Sequence, residues 1–475
     1  MTQPETEPAP VGWRPVAAIG AGTLLNPLNS SMIAVALVAL RRDFGVSAAA
    51  ATWLISGFYL AGAIGYSLMG RLADMFGPRR VLVAGLALVT VTGAMAPLAP
   101  SFGWLVSLRV LQAFGTSAPF PAGLAIIRKA DPSGRTPASA LGALAITASV
   151  SAALGPVLGG FLVAAAGWQA VFLVNVPATL AGLALTFAWL PADGPGAEPG
   201  VERGGRAAAL RGSIRRMDLP GVALFSGTLA SLLAFLLSLP DARRWWLLAV
   251  AIASGALLAS RSLRASEPFL DLRMLASNRA LVGVYAQFAA INVVFYAFFF
   301  GLPLWLQEAR GFHPAQAGLL LLPVAGVGVL ATPVAAVLTR RGGPRPSMLI
   351  GAVGLTAGSL LLLAVGLTTP VIGLVAVSVV LGVPNGFNNL GLQAALYERA
   401  PRGLMGTAGG QFQTARYVGA VLSTALLGAA YGRSAGTADL HLIAWVLAGI
   451  SVTLVAAALA TRPGVSPPIE LGASA

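Results

Sequence analysis

The stretch GRLADMFGPRR, residues 70–80, joins two long apolar segments through a short polar turn. Small residues and one aspartate lead into a Gly-Pro-Arg sequence with a second arginine behind it. A similar stretch, AAVLTRRGGPRP at 335–346, follows an apolar segment in the second half of the chain. Two such helix ends indicate an internal repeat, so we expect the chain to consist of two related halves.

The composition places almost the whole chain in a membrane. Of its 475 residues, 57% are hydrophobic and 10% are charged, and the mean hydropathy is +0.81. A soluble domain carries about 25% charged residues, so this much apolar surface could not be buried in a water-facing fold. The apolar runs are continuous rather than alternating, which excludes a β-barrel. We therefore expect an all-α integral membrane protein.

Hydropathy divides the chain into segments that can cross a bilayer. Each crossing helix needs about 20 apolar residues. The fourteen segments that fit are 15–39, 50–69, 81–99, 103–127, 138–163, 169–190, 218–239, 245–260, 280–306, 315–338, 347–366, 370–396, 404–430 and 441–461. The prediction is weakest for the pair 218–239 and 245–260.

The charged residues predict the orientation of these spans. Most of the 30 Lys and Arg residues fall in alternate loops, which places those loops and both termini in the cytoplasm. The excess of arginine over lysine is typical of a GC-rich bacterial genome, so we expect a bacterial plasma membrane. A net charge of +14 spread over short loops does not indicate nucleic acid. The first residues, MTQPETEPAP, are expected to form a cytosolic tail rather than a signal peptide.

A Gly-, Pro- and Arg-rich stretch at 191–217 interrupts the spans and predicts a linker. If the following pair of spans is an insertion, the chain has six spans, two extra and six more. Paired six-helix halves around a central cavity are a transporter architecture. The predicted units are a first bundle at 1–190, a linker at 191–217, two extra helices at 218–262, a second linker at 263–279, and a second bundle with a short tail at 280–475.

Three motifs carry a resemblance to the major facilitator superfamily. The first stretch quoted matches Gly-x-Leu-Ala-Asp-x-x-Gly-x-Arg; RVLQAFG at 109–115 is similar to the Arg-x-x-Gln-Gly motif of helix 4; LGPVLGG at 154–160 resembles the Gly-Pro-x-x-Gly-Gly motif of exporters. With fourteen spans, the chain resembles the 14-helix drug:proton antiporter branch. The resemblance implies a major facilitator fold with two six-helix bundles and two extra central helices.

The resemblance also implies roles for the motif residues. Asp74 would seat against a helix N-terminus near 403–405 and hold the inner face shut, with Gly70, Gly77 and Arg79 as the rest of this latch. The alternative is that Asp74 is simple loop charge. In the exporter motif, Gly155, Pro156, Gly159 and Gly160 would permit close helix packing and bending.

Polar residues inside the spans are candidates for a cavity lining. Arg109 and Arg416 fall within spans, where a charge costs about 2.5–3.5 kcal/mol and needs water or a partner. Each could instead be structural, for example by bridging backbone carbonyls between helices. Asn29 stands where the resembled branch has an acid. The candidate cavity residues are Asn26, Asn29, Ser30, Tyr59, Arg109, Gln112, Asn292, Tyr296, Asn385, Asn388, Asn389, Gln393, Gln413 and Arg416. For the amides of 385–393 the alternative is packing between helices, and for the aromatics it is the core.

The acids limit the possible functions. None of the 16 falls in mid-span, so a pump for cations, which needs a buried carboxylate, is disfavoured. Three hypotheses remain: an exporter of neutral or anionic small molecules, driven by protons through a peripheral acid such as Asp43, Glu308 or Glu398; an uncoupled facilitator, uniporter or organic-anion carrier; and a membrane sensor that does not transport. There is no cysteine, there are two histidines, and no phosphate-binding loop occurs, so we expect no enzyme, no metal and no cofactor. We expect a monomer in the lipid bilayer.

Overall fold

The computed structural model describes residues 13–130, 138–193, 218–238, 244–265, 268–400, 405–432 and 434–460. The helices of the first half are α1 Trp13–Thr23, α2 Leu25–Phe44, α3 Ala48–Ala51, α4 Trp53–Phe76, α5 Pro78–Met95, α6 Phe102–Ser117, α7 Pro119–Ala130, α8 Ala138–Ala166, α9 Gln169–Leu173 and α10 Asn175–Trp189.

Several spans of this half are broken in two at a proline. Pro27 has no N–H to bond to the carbonyl of Thr23, the last residue of α1. Likewise, Pro177 has no N–H to bond to the carbonyl of Leu173, the last residue of α9. The second half of the fourth span, α7, begins at Pro119. These pairs of helices still act as single spans, Trp13–Phe44, Phe102–Arg128 and Gln169–Trp189.

The rest of the described chain is also helical. Its helices are α11 Leu219–Ser238, α12 Trp245–Arg264, α13 Leu272–Ser277, α14 Arg279–Glu308, α15 Pro314–Gly342, α16 Pro344–Leu363, α17 Val371–Arg399, α18 Met405–Tyr431 and α19 Thr437–Ala460. The linker predicted at 191–217 lies outside the described residues beyond Asp193, and the domain boundaries remain a prediction.

Thirteen of the fourteen predicted spans are helices that are long and apolar enough to cross a membrane, counted over the described residues. The remaining prediction, 404–430, corresponds to α18, which has 27 residues. Its hydropathy is lower because it carries Arg416 and several glutamine, threonine and glycine residues. It packs along α14 and α4 inside the bundle, so its polar residues are shielded from lipid.

The repeated Gly-Pro-Arg turns share one backbone geometry. Gly77 has φ +96° and Gly343 has φ +71°, a region that favours glycine. Each is followed by a proline at the first position of the next helix, Pro78 in α5 and Pro344 in α16, where a missing N–H has no cost. The repeat seen in the sequence is therefore a repeat of a sharp turn between two membrane helices.

The two halves meet mainly where α2 packs on α14, α4 on α18, and α8 along α15. The two extra helices are central in the sequence but peripheral in space. The first, α11, packs on α18 and α4, and α12 packs mainly on α11. Trp245 and Trp246 of α12 are exposed, as expected for a helix that faces lipid.

A buried aspartate fixes the base of this pair. The carboxylate of Asp218 accepts hydrogen bonds from Nε of Arg261 at 2.5 Å, from the N–H of Gly221 at 3.1 Å and from the N–H of Phe269 at 2.8 Å. It therefore ties α11 to α12 and to the chain that leads into the second bundle.

Candidate functional site

An aromatic cluster joins the two halves at the middle of the bundle. We call Tyr59 and Tyr66 of α4, Tyr296 of α14 and Tyr417 of α18 the tyrosine cluster. The ring centroids of Tyr59 lie 5.0 Å from Tyr296 and 5.8 Å from Tyr417, and those of Tyr66 and Tyr417 are 6.1 Å apart. Phe300 stacks on Tyr296 at 5.7 Å. Contacts at these spacings hold α4 against α14 and α18.

Arg416 lies beside this cluster on α18. Its Nε and Nη2 donate hydrogen bonds to the hydroxyl of Tyr296 at 3.2 and 3.1 Å. Neither of the two ion pairs found among the described residues includes it. The side chain is only partly buried, so its positive charge faces the interior of the bundle without a carboxylate at bonding distance in the described chain.

Three predicted amides are exposed on the helices of the second half. They are Asn389 and Gln393 of α17 and Gln413 of α18, and they belong to membrane helices. An amide facing hydrocarbon would lose its hydrogen bonds, so we expect these side chains to face a watery space inside the bundle. Asn385 is partly buried and accepts a hydrogen bond from Nδ2 of Asn389 at 2.6 Å.

Two further predicted amides are buried. Asn388 is completely buried against Gly351 of α16 and has no hydrogen-bond partner among the described residues. Nδ2 of Asn292 donates to the carbonyl of Phe288 at 2.7 Å, and the side chain packs on Gly419 of α18. The predicted single face of four amides on α17 is thus divided, with Asn388 pointing to a neighbouring helix.

Arg109 is sealed inside the first half, with 1% of the residue exposed. One guanidinium nitrogen donates to the backbone carbonyl of Asn29 at 2.6 Å and another to Oε1 of Gln112 at 2.6 Å. The guanidinium also lies 4.2 Å from the ring centroid of Phe58. This geometry favours the alternative left open by the sequence, in which the arginine bridges helices through a backbone carbonyl.

The polar stripe of α2 completes this buried network. Asn29 and Asn175 exchange side-chain hydrogen bonds of 2.6 and 2.9 Å, and Asn26 donates to the hydroxyl of Thr116 at 3.1 Å. Asn175 was not among the sequence candidates, although it is a lone amide in an apolar span. Ser30 donates to the carbonyl of Pro27 at 3.0 Å and neighbours the hydroxyl of Tyr59.

Only part of the predicted latch belongs to the described residues. Asp74 is exposed at the end of α4, and its predicted partners at 403 and 404, with the side chain of Met405, lie outside the described residues. Gly70 faces Pro121 of α7. Beside this motif, at the start of α5, the carboxylate of Asp193 accepts from the N–H groups of Arg79 at 3.3 Å and Arg80 at 2.9 Å.

The exporter motif brings backbones into contact on two sides of α8. A Cβ at Gly159 would lie 2.8 Å from the carbonyl oxygen of Met32, and Gly155 faces the same helix, α2. A Cβ at Gly160 would lie 2.5 Å from the carbonyl oxygen of Pro314, in α15 of the other half. Pro156 contributes to the same interface, because its carbonyl oxygen packs against Gly318.

The halves are tied together at one end of the bundle. We call the end that holds Trp13 and Ala460 the terminus-side end and the opposite one, with Arg41, Glu308 and Gly432, the distal end. In the distal half of the bundle, Arg41 forms an ion pair with Glu308, and the N–H of Ala49 donates to the carbonyl of Gly432 at 3.3 Å. The hydroxyls of Ser56 and Thr424 share a hydrogen bond of 2.5 Å. Nε2 of Gln307 donates to the carbonyl of Val35 at 3.2 Å. The exposed amides lie nearer the terminus-side end, so we expect the space between the halves to open there.

Two helical halves that contact each other at the distal end and carry polar side chains inside their membrane helices are typical of membrane transporters of the alternating-access class. The sequence model of the Major Facilitator Superfamily matches residues 19–424, and the chain belongs to that family. It is therefore a multi-pass transporter and not an enzyme.

Named relatives are similar over most of the chain. An uncharacterized MFS-type transporter, YwoD, of Bacillus subtilis (strain 168) is 37% identical over 93% of this chain and 95% of its own length. The tetracenomycin C resistance and export protein of Streptomyces glaucescens is 31% identical over 88% and 75%. The multidrug efflux pump LfrA of Mycolicibacterium smegmatis is 30% identical over 90% and 82%.

A solved structure supports the fold. The nucleoside transporter NupG superposes with a TM-score of 0.66 and covers 94% of this chain and 99% of its own. Its sequence identity is 14%, so the likeness concerns the architecture alone.

Proposed function

We propose that this protein is a secondary transporter that exports small, drug-like organic compounds, neutral or anionic, by alternating access. Relatives named for antibiotic resistance and multidrug efflux support export. The proposed location is the bacterial plasma membrane with both termini in the cytoplasm, so the distal end faces outward. In that orientation the structure corresponds to an inward-open state, with its cavity accessible to compounds in the cytoplasm.

The observation that carries the substrate class is the charge of the cavity. The fixed charge beside the tyrosine cluster is the guanidinium of Arg416, bonded to the phenol of Tyr296. Among the described residues, the acids of the bundle stand at helix ends, as Asp43, Glu308 and Glu398 do. An organic cation placed here would meet like charge, whereas an anion or a polar neutral compound would not.

We further propose that protons drive export through one of these peripheral acids. A second candidate function is uncoupled facilitation of organic anions, and the lack of a mid-depth acid in the described chain favours it. The two differ in their response to a proton gradient, because only a coupled carrier can accumulate its substrate against a concentration difference.

Transport into proteoliposomes with an imposed pH gradient tests both candidates. One anionic, one neutral and one cationic compound are compared at equal concentration. We expect gradient-dependent accumulation of the anionic and neutral compounds. Flux that ignores the gradient would replace the proton-driven proposal with the facilitator, and accumulation of the cation would contradict the substrate class.

A further inference from the structure

The charge of Arg416 is bonded to an uncharged partner. Both of its bonding nitrogens donate to the same phenol oxygen of Tyr296, so the planar fork of donors is only half used. A guanidinium at mid-depth with no anion beside it costs free energy. A carboxylate is the ligand that matches this fork in shape and charge, because two parallel hydrogen bonds can form at once.

The phenol that holds this charge belongs to a group of aromatic rings. The rings of Tyr59, Tyr296 and Tyr417 are buried; that of Tyr59 lies 5.0 Å from Tyr296 and 5.8 Å from Tyr417, and Phe300 extends the group. Rings favour neighbours at about 4.5–7 Å in tilted or offset contact, so a planar ligand ring beside them would make contacts of the same kind. An aliphatic ligand of equal charge would lack these contacts.

The cluster is built by both halves of the molecule. Tyr59 and Tyr66 belong to α4 of the first half, whereas Tyr296, Arg416 and Tyr417 belong to the second. A ligand that touches Arg416 and Tyr59 together therefore contacts both halves, and its affinity must change when they separate. That is the property a transported substrate needs.

We propose that the preferred substrate is an aromatic acid, with its carboxylate on Arg416 and its ring against the tyrosine cluster. The inference rests on the proposed export function and names the substrate class of that site. Arg416 then determines specificity for charge, and the rings determine specificity for planarity.

Equilibrium binding to the purified, full-length protein in nanodiscs tests the inference. The probes are naphthoate, cyclohexanecarboxylate, naphthylmethanol and naphthylmethylamine, which separate charge from aromaticity. We expect naphthoate to bind tightest. R416Q should weaken naphthoate by about tenfold to a hundredfold, the effect of losing a charge-assisted hydrogen bond, and should change naphthylmethanol by less than about threefold.

Three more variants keep the outcome interpretable. R416K retains the charge but not the fork, so naphthoate should weaken by only about tenfold. Y296F keeps the ring and frees the donors of Arg416, so naphthoate should bind more tightly. R264Q removes an exposed arginine from the peripheral helix α12 and should leave all four affinities unchanged.

Several results would overturn the inference. The first is unchanged naphthoate binding in R416Q. The second is an equal loss of naphthoate and naphthylmethanol binding in R416Q, which would indicate a structural arginine. The third is equal binding of cyclohexanecarboxylate and naphthoate to the wild-type protein. If R416Q does not fold, a more than tenfold loss of naphthoate affinity in Y296F would also overturn the inference. Accumulation of any probe by wild-type proteoliposomes is measured separately, so the export proposal can survive these failures.

Discussion

At the scale of single residues, two arginines inside the membrane bundle have different surroundings. Arg109 is enclosed by α2, α6 and the ring of Phe58; two of its nitrogens donate to Asn29 and Gln112, and its Nε has no partner among the described residues. Arg416 is partly exposed, and its described partner is one phenol. The first guanidinium is sealed among protein groups, whereas the second is open to a ligand.

The replacement R109Q should therefore affect stability more than specificity. It leaves the backbone carbonyl of Asn29 without its donor and breaks the network to Asn175, at a cost of about 1–3 kcal/mol. We expect a lower thermal unfolding temperature in detergent and less folded protein, with the order of probe affinities preserved. R416Q is the matched comparison, for which we expect little change in unfolding temperature and a changed order of probe affinities. Full stability of R109Q combined with loss of anion binding would reverse the two assignments.

The sequence predicts which residues are charged or polar inside spans, but not the direction in which they point. The 3.6-residue repeat placed four amides of α17 on one stripe, yet a helix surrounded by neighbours has several buried directions, and Asn388 turns to α16. Asp193 was assigned to a linker because nothing in a Gly- and Pro-rich stretch shows that it reaches the start of α5. Long-range contacts of this kind depend on the fold.

At the scale of helices, glycines decide how close two spans can come. Gly160 and Gly318 let α8 and α15 touch backbone to backbone across the two halves near the distal end. Gly155 and Gly159 do the same for α8 and α2 within the first half. The exporter motif thus forms two contacts. The contact of α8 with α2 stays within the first half, whereas alternating access must break the contact of α8 with α15.

G160A should therefore weaken the closed distal interface. The added Cβ would lie 2.5 Å from the carbonyl oxygen of Pro314, so the helices must move apart. We expect slower export and greater labelling of distal positions by a membrane-impermeant reagent. G449A in α19 is the control, because a Cβ there meets nothing within 4 Å. Equal transport by both variants would show that this contact does not limit the cycle.

Helix positions are the part of the fold that hydropathy predicts well, because a span has to be long and apolar. The breaks within spans can be predicted from proline, as at Pro27 and Pro177. The change in helix direction at each break cannot be predicted in this way. The predicted pair 218–239 and 245–260 is present as α11 and α12. Their place outside the α4–α18 seam could not be predicted, since apolar helices look alike whether they face lipid or protein.

At the scale of the whole molecule, the two halves are held at the distal end by an ion pair. Arg41 of α2 and Glu308 of α14 have side chains that are 11% and 14% exposed, and Glu308 also accepts from the N–H of Ala435 at 2.8 Å. The pair exists only while the distal end is shut, so it favours the distal-closed state over the distal-open one.

E308Q should shift this balance toward the distal-open state. Loss of a partly exposed ion pair is worth about 1 kcal/mol, which corresponds to about a fivefold change in the ratio of the two states. Spin labels on cysteines introduced at Arg42 and His313, exposed distal sites in opposite halves of a chain without native cysteine, report the separation. We expect a larger population at long distance in E308Q and its reduction in the charge-swapped double variant R41E/E308R. If E308Q gives the wild-type distribution, other contacts such as Ser56–Thr424 hold the distal end shut and the ion pair has no part in the balance.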